Sequence, residues 1–127
     1  LHRVDRRQRQ MCIRDSPYSQ AIIANGFVYT SGQIPINPQT GAVEGKTITE
    51  QAEQVMKNLK AVLEAAGSDF TKAVKTLCFL KTMNDFAAFN EVYAKYFTGK
   101  PARSCIAVVQ LPKDVLVEVE VVAQAAS

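Results

Sequence analysis

From residue 17 onward the apolar positions alternate between a period of two and a period of three to four, and each switch marks an element. The runs "AIIA" and "FVYT" flank Asn25-Gly26, a dipeptide suited to the positive φ of a tight hairpin turn, so two strands are expected there. "NPQTG", Asn37 to Gly41, predicts a second turn, with Pro38 setting φ. Ile48, Ala52, Val55, Met56, Leu59, Val62, Leu63 and Ala66 then recur at helical spacing, behind a Thr47/Glu50 capping box and ahead of a Gly67 stop. "AVKTLCFLK" returns to a strand pattern. Asn84 is expected to cap a second helix, whose Phe86, Phe89, Tyr93, Tyr96 and Phe97 form an aromatic stripe ending near Gly99. Helical spacing assigns that stripe to core packing rather than to base stacking, which usually takes place on sheets. "ARSCIAVVQL" and "VLVEVEVVAQA" predict two final strands around the turn "PKD". The order β-β-α-β-α-β-β implies an α+β fold, with two helices on one face of a mixed sheet. "CIAVV" and the last strand are apolar on both sides, which predicts oligomerisation through the open face.

Composition narrows the class. At 127 residues, 47% hydrophobic and 21% charged, the chain suits one globular domain, placed at 17–127. No window reaches the roughly eighteen apolar residues of a membrane span, and no signal-peptide core precedes the domain, so a cytoplasmic location is expected. Cys12, Cys78 and Cys105 are widely spaced, and His2 is the single histidine. That set argues against a disulfide framework, a metal site and His-based triad chemistry. The net charge of +3 lies entirely in residues 1–16, which carry five arginines and two aspartates, while residues 17–127 balance ten basic against ten acidic residues. No basic stripe continues into the body, so nucleic acid is not an expected partner. "MCIRDS" can be encoded by ATG TGT ATA AGA GAC AG followed by C or T, which resembles a transposon-end adapter of sequencing libraries. Residues 1–16 are therefore read as a non-native, adapter-derived tail and set apart from the domain.

Four stretches carry candidate chemistry: "PYSQ", "SGQIP", "PARSC" and "VEVEV". Strand periodicity puts Glu118 and Glu120 on one side of the last strand, roughly 7 Å apart. Arg103 follows a Pro-Ala step at a strand entrance, where an unpaired guanidinium must reach water or hold an anion. Placed beside a glutamate of a neighbouring strand, it would bind a carboxylate bidentately while the glutamate orients or deprotonates water. A plain Arg103–glutamate salt bridge is the competing reading, and residue chemistry alone leaves both open. Cys105 beside an arginine suggests an activated thiol, but there is no reliable histidine base, and Cys78 reads as a buried strand residue.

These stretches, together with "QVMKNLKAVLEAAG", "NDFAAFNEVYAKYF" and "LPKDVLVEVE", resemble the Rid family, also called YjgF or L-PSP, over essentially all of residues 17–127, with the closest likeness to its reactive intermediate deaminase A subgroup. The resemblance implies a chorismate-mutase-like α+β fold, a homotrimer and active sites in clefts between subunits. It implies cofactor-independent hydrolysis of reactive enamines and imines, such as 2-aminoacrylate and 2-iminobutanoate, to 2-keto acids and ammonia. By motif position, Arg103 would clamp the substrate carboxylate with the backbone N–H of Cys105. Glu118 would position water and shuttle protons, and the Gly32 carbonyl would hold that water. Tyr18, Ser31 and Asn90 would complete the cleft. The chain departs from the family pattern at Ser16, where a glycine is usual, and at Ala107 and Gln110. Two other functions stay open: a ribonuclease or translation inhibitor, a role reported for some family members, and a noncatalytic ligand-binding or holdase role. The first predicts RNA binding with a steep salt dependence, and the second predicts variants at Arg103 and Glu118 that keep full function.

Overall fold

The computed structural model describes residues 8–12 and 18–126. The tail read as adapter falls mostly outside these residues, as does His2. Gln8–Cys12 nevertheless forms strand β1, antiparallel to β2 (Ser19–Ala24). The reading that begins at Pro17 has no such strand. Strand pairing joins main-chain groups, which an adapter-derived segment supplies as well as a native one.

β2 turns into β3 (Phe27–Thr30) at Asn25 and Gly26, whose φ values of 52° and 82° are the paired positive angles of a primed hairpin turn. A two-residue ribbon, β4 (Ile36–Asn37) and β5 (Ala42–Val43), closes around "NPQTG". Helix α1 (Ile48–Ala65) begins at the expected reciprocal cap, the Thr47 hydroxyl accepting from the Glu50 N–H and the Glu50 carboxylate from Thr47. It stops at Gly67, with φ 77°, where the Gly67 N–H reaches the Glu64 carbonyl and the Ser68 N–H the Leu63 carbonyl, a Schellman ending. Strand β6 (Ala73–Leu80), helix α2 (Phe86–Tyr96), strand β7 (Ala102–Ala107) and strand β8 (Val117–Gln124) complete the chain.

Two expectations are corrected here. Asn84 does not cap α2. Its backbone N–H donates to the Thr82 hydroxyl, which caps a short 3-10 turn leading into the helix, and Asp85 precedes α2 without a side-chain cap bond. β7 also ends at Ala107, because the chain leaves the sheet edge before Val109, which is fully exposed.

The main sheet runs β1-β2-β3-β8-β6-β7, and only β6 and β7 are parallel. α2 is the crossover that this parallel pair requires. Val117, Val119, Val121 and Ala123 of β8 are buried on one face with Thr76, Cys78 and Leu80 of β6, under Val55, Met56, Leu59 and Leu63 of α1 and Phe89 and Val92 of α2. Both helices thus cover one face. The other face carries Tyr29, Val122, Leu77, Phe79 and Ile106, with Tyr29 and Ile106 close to half exposed. Among the described residues no helix is long and apolar enough to cross a membrane.

Candidate functional site

The register decides which of the predicted site residues can meet. β7 pairs with β6, and β6 with β8, so Arg103 lies opposite Thr76 and Glu118 opposite Phe79. The neighbouring-strand arrangement considered for Arg103 and a glutamate is therefore not the one found within the chain, since β6 intervenes. They also point to opposite faces. Arg103 and Cys105 share the helix side with Thr76 and Cys78, whereas Glu118 and Glu120 share the open side with Phe79 and Leu77. Two strand spacings, about 10 Å, and the thickness of the sheet separate the groups within one chain.

The first group is built on α2 and β7. Phe86, Asn90 and Tyr93 lie four and three residues apart, on one stripe of α2 facing Arg103. The Arg103 Nη1 donates to Asn90 Oδ1 at 2.7 Å. Its guanidinium carbon lies 4.6 Å from the Tyr93 ring centre and 5.4 Å from that of Phe86. The ion pairs among the described residues join Lys81 to Asp114 and Lys95 to Glu53, and neither involves Arg103, so the salt-bridge reading fails. An open cavity of about 500 Å³ lies beside Arg103, between the end of α2 and Pro101. The Val108 N–H bonds the Leu80 carbonyl, so alternation along β7 turns the N–H groups of Arg103, Cys105 and Ala107 away from β6 toward the open sheet edge. Burial pushes the Cys105 thiol above its ordinary value, with Arg103 opposing, and pushes Cys78 up to about 12. Both shifts disfavour the thiolate form.

The second group is built where β3 leaves the sheet. Gln33 bridges to Val119 through two backbone bonds, and its buried side chain donates to Gln20 Oε1 at 2.8 Å and to the Ser31 carbonyl. This bridge brings Gly32 against Glu118. A Cβ on Gly32 would lie 2.7 Å from the Glu118 Cδ and overlap its carboxylate, so only glycine lets that side chain lie where it does. The Glu118 carboxyl is shifted upward, first by burial and then by the like charge of Glu120. The Ser31 hydroxyl donates to the Ser19 carbonyl at 2.6 Å. Tyr18, at the head of β2, is 54% exposed. Ser31, Gly32 and Glu118 therefore gather on one patch, with Tyr18 next to Ser19 at the head of β2, and Asn90, Arg103 and Cys105 on another.

Tyr93 and Thr76 were not singled out from the sequence. A readable signal existed, because a tyrosine inside a buried aromatic stripe brings a hydroxyl that needs a partner. That partner is the Thr76 hydroxyl, at 2.7 Å. Among the described residues no group of three or more histidine, cysteine, aspartate or glutamate side chains is placed to hold a metal ion.

Comparison with known proteins follows the same lines. A family model described as endoribonuclease L-PSP matches residues 12–125. The putative regulator AldR of Lactococcus lactis is 52% identical over 112 residues, covering 87% of this chain and 89% of its own. The 2-iminobutanoate/2-iminopropanoate deaminase of Salmonella typhimurium is 47% identical over 111 residues, covering 84% of this chain and 86% of its own. Among solved structures, E. coli TdcF with bound serine is 40% identical with a TM-score of 0.81, over 87% of this chain and 90% of its own.

Proposed function

Since the chain belongs to the endoribonuclease L-PSP family, the Rid family of the sequence reading, we propose that it hydrolyses 2-imino acids to 2-keto acids and ammonia, at a site completed by two copies of the chain. The observation that carries this reading is Arg103, which Asn90 and two aromatic rings hold at an open sheet edge with no acidic partner among the described ion pairs. A guanidinium so held is suited to a carboxylate ligand. The deaminase named above is a relative, and TdcF, with its bound serine, is a neighbour that takes a small amino acid.

In this reading a substrate R–C(=NH)–COO⁻ places its carboxylate on the edge of Arg103 that Asn90 leaves open, with the outward N–H of Cys105 as a further donor. Glu118 of a second copy faces the imine carbon from the other side. Its raised proton affinity suits it to give a proton to the imine nitrogen, which makes the carbon more electrophilic. Water held at the Gly32 carbonyl adds to that carbon and returns a proton to Glu118. Glu118 gives that proton to the carbinolamine nitrogen and takes the hydroxyl proton in exchange as the C–N bond breaks, releasing NH₃ and leaving the keto acid. Tyr18 and Ser31 line the same side. A homotrimer, with one such contact per subunit, satisfies every half-site, and a second copy on the open face also covers Tyr29 and Ile106.

The test generates 2-iminobutanoate with a threonine dehydratase in the presence of semicarbazide and follows keto-acid release. Wild type is expected to accelerate release, and Arg103→Ala and Glu118→Ala to lose at least about a hundredfold of that effect. An inert but correctly assembled wild type sinks the proposal. A salt-steep affinity for RNA in the same preparation would put the ribonuclease reading in its place.

A further inference from the structure

We infer that Tyr93 is a positioning residue for Arg103, whose ring sets the orientation in which the guanidinium meets a carboxylate, while its hydroxyl, bonded to Thr76, ties α2 to β6. The inference rests on the reading of Arg103 as the anion clamp.

The geometry is unusually constrained for a surface arginine. Thr76 is fully buried and Tyr93 nearly so. Their hydroxyls, 2.7 Å apart, tie α2 to β6 at the residue that is the direct register partner of Arg103. The tyrosine ring is packed on its other sides by Phe97, stacked at 4.5 Å between ring centres, and by Phe89 at 5.7 Å. Held by these rings and by its hydroxyl bond, on the wall of the cavity beside Arg103, it presents an aromatic surface to Arg103 at 4.6 Å. Asn90 holds only one guanidinium nitrogen, at 2.7 Å. A single hydrogen bond leaves the plane of the fork free to rotate about it. Tyr93, with Phe86 at 5.4 Å, removes that freedom. Bidentate capture of a carboxylate depends on the plane of the fork, so a ring that fixes it lowers the ordering cost of binding.

This assigns separate duties to the two parts of one side chain. The ring orients Arg103, and the hydroxyl stabilises the packing of α2 on β6 through Thr76. Tyr93→Phe preserves the ring and loses the hydroxyl, whereas Tyr93→Leu keeps bulk and loses the aromatic surface.

The experiment combines steady-state deamination with nuclear magnetic resonance of the Arg103 Nε–Hε group, assigned by its absence in Arg103→Lys. In wild type that proton is expected to be shifted by the Tyr93 ring current. Tyr93→Leu is expected to lose the shift and raise KM about tenfold while kcat changes less than about threefold, because the clamp binds ground and transition states alike. Tyr93→Phe is expected to melt at a lower temperature than wild type yet hold the ring-current shift and keep KM within about threefold of wild type. If both variants raise KM in proportion to their lost stability, or if Tyr93→Leu leaves KM unchanged, Tyr93 is structural only and the inference is overturned. An inert wild type whose Arg103 proton still responds to Tyr93→Leu but not to Tyr93→Phe would sink the deaminase reading and leave the orientation of Arg103 standing.

Discussion

Gly32 is where a single hydrogen in place of a methyl group decides the placement of a carboxyl. Gly32→Ala puts its Cβ into the Glu118 carboxyl, the far end of a flexible side chain, so the chain yields there rather than in its backbone. The expected result is a melting temperature within a few degrees of wild type and a deaminase rate lower by about ten- to a hundredfold. Calorimetry and the coupled assay on one preparation separate the two effects. The Gly32–Glu118 contact was not legible beforehand, nor was Thr76 as the partner that the Tyr93 hydroxyl needs, though "SGQIP" and the aromatic stripe were both noticed. Glu118 and Glu120 were correctly placed on one side of a strand, because alternation is a local property. Which residue a side chain meets across a bridge such as Gln33–Val119 depends on pairing between segments far apart in the chain, and no local pattern encodes it.

The two helices illustrate the same division at the level of elements. α1 was readable from end to end, since its cap, apolar stripe and glycine stop all lie within its own residues. The start of α2 was misplaced because Thr82 and Asn84 both suit a cap, and the 3-10 turn that gives the role to Thr82 is a tertiary outcome. The docking of the helices on each other depends partly on Glu53, which accepts from Lys95 Nζ and, at 2.6 Å, from the Tyr96 hydroxyl. Those two bonds, Lys95 first, hold the Glu53 carboxyl below its ordinary 4.5. A depressed folded value means that the stabilisation is fully present above 4.5 and is lost as pH falls through the lower folded value. Glu53→Gln is thus expected to melt below wild type at about pH 7, by no more than about 1 kcal/mol for so exposed a pair, with the gap closing as pH falls below 4.5. Thermal melts across that range give the answer, and a gap that widens in acid contradicts it.

For the whole molecule, the pairing of strands is the level that sequence left undetermined. Strand order was not readable from sequence: a glutamate on a strand next to that of Arg103 was one arrangement considered, yet the crossover through α2 sends β7 to the edge and lets β8 enter between β3 and β6. Separated half-sites lead to a mixing experiment. Arg103→Ala and Glu118→Ala subunits, each inactive alone, are expected to recover about a quarter of wild-type activity when unfolded and reassembled at equal ratio, the share of contacts that receive one intact residue from each parent. No recovery, with mixed assemblies demonstrated by mass, would mean that each site draws on a single chain. The central place of β8 also matters while the protein is being made. β1 to β3 with α1 form one half of the sheet and β6, α2 and β7 the other, and the strand that joins them, residues 117–124, is the last described strand to be synthesised. Until it leaves the ribosome, β3 and β6 each present an unfilled edge beside exposed apolar side chains, the state in which nascent chains most need a chaperone and are most open to capture by one another.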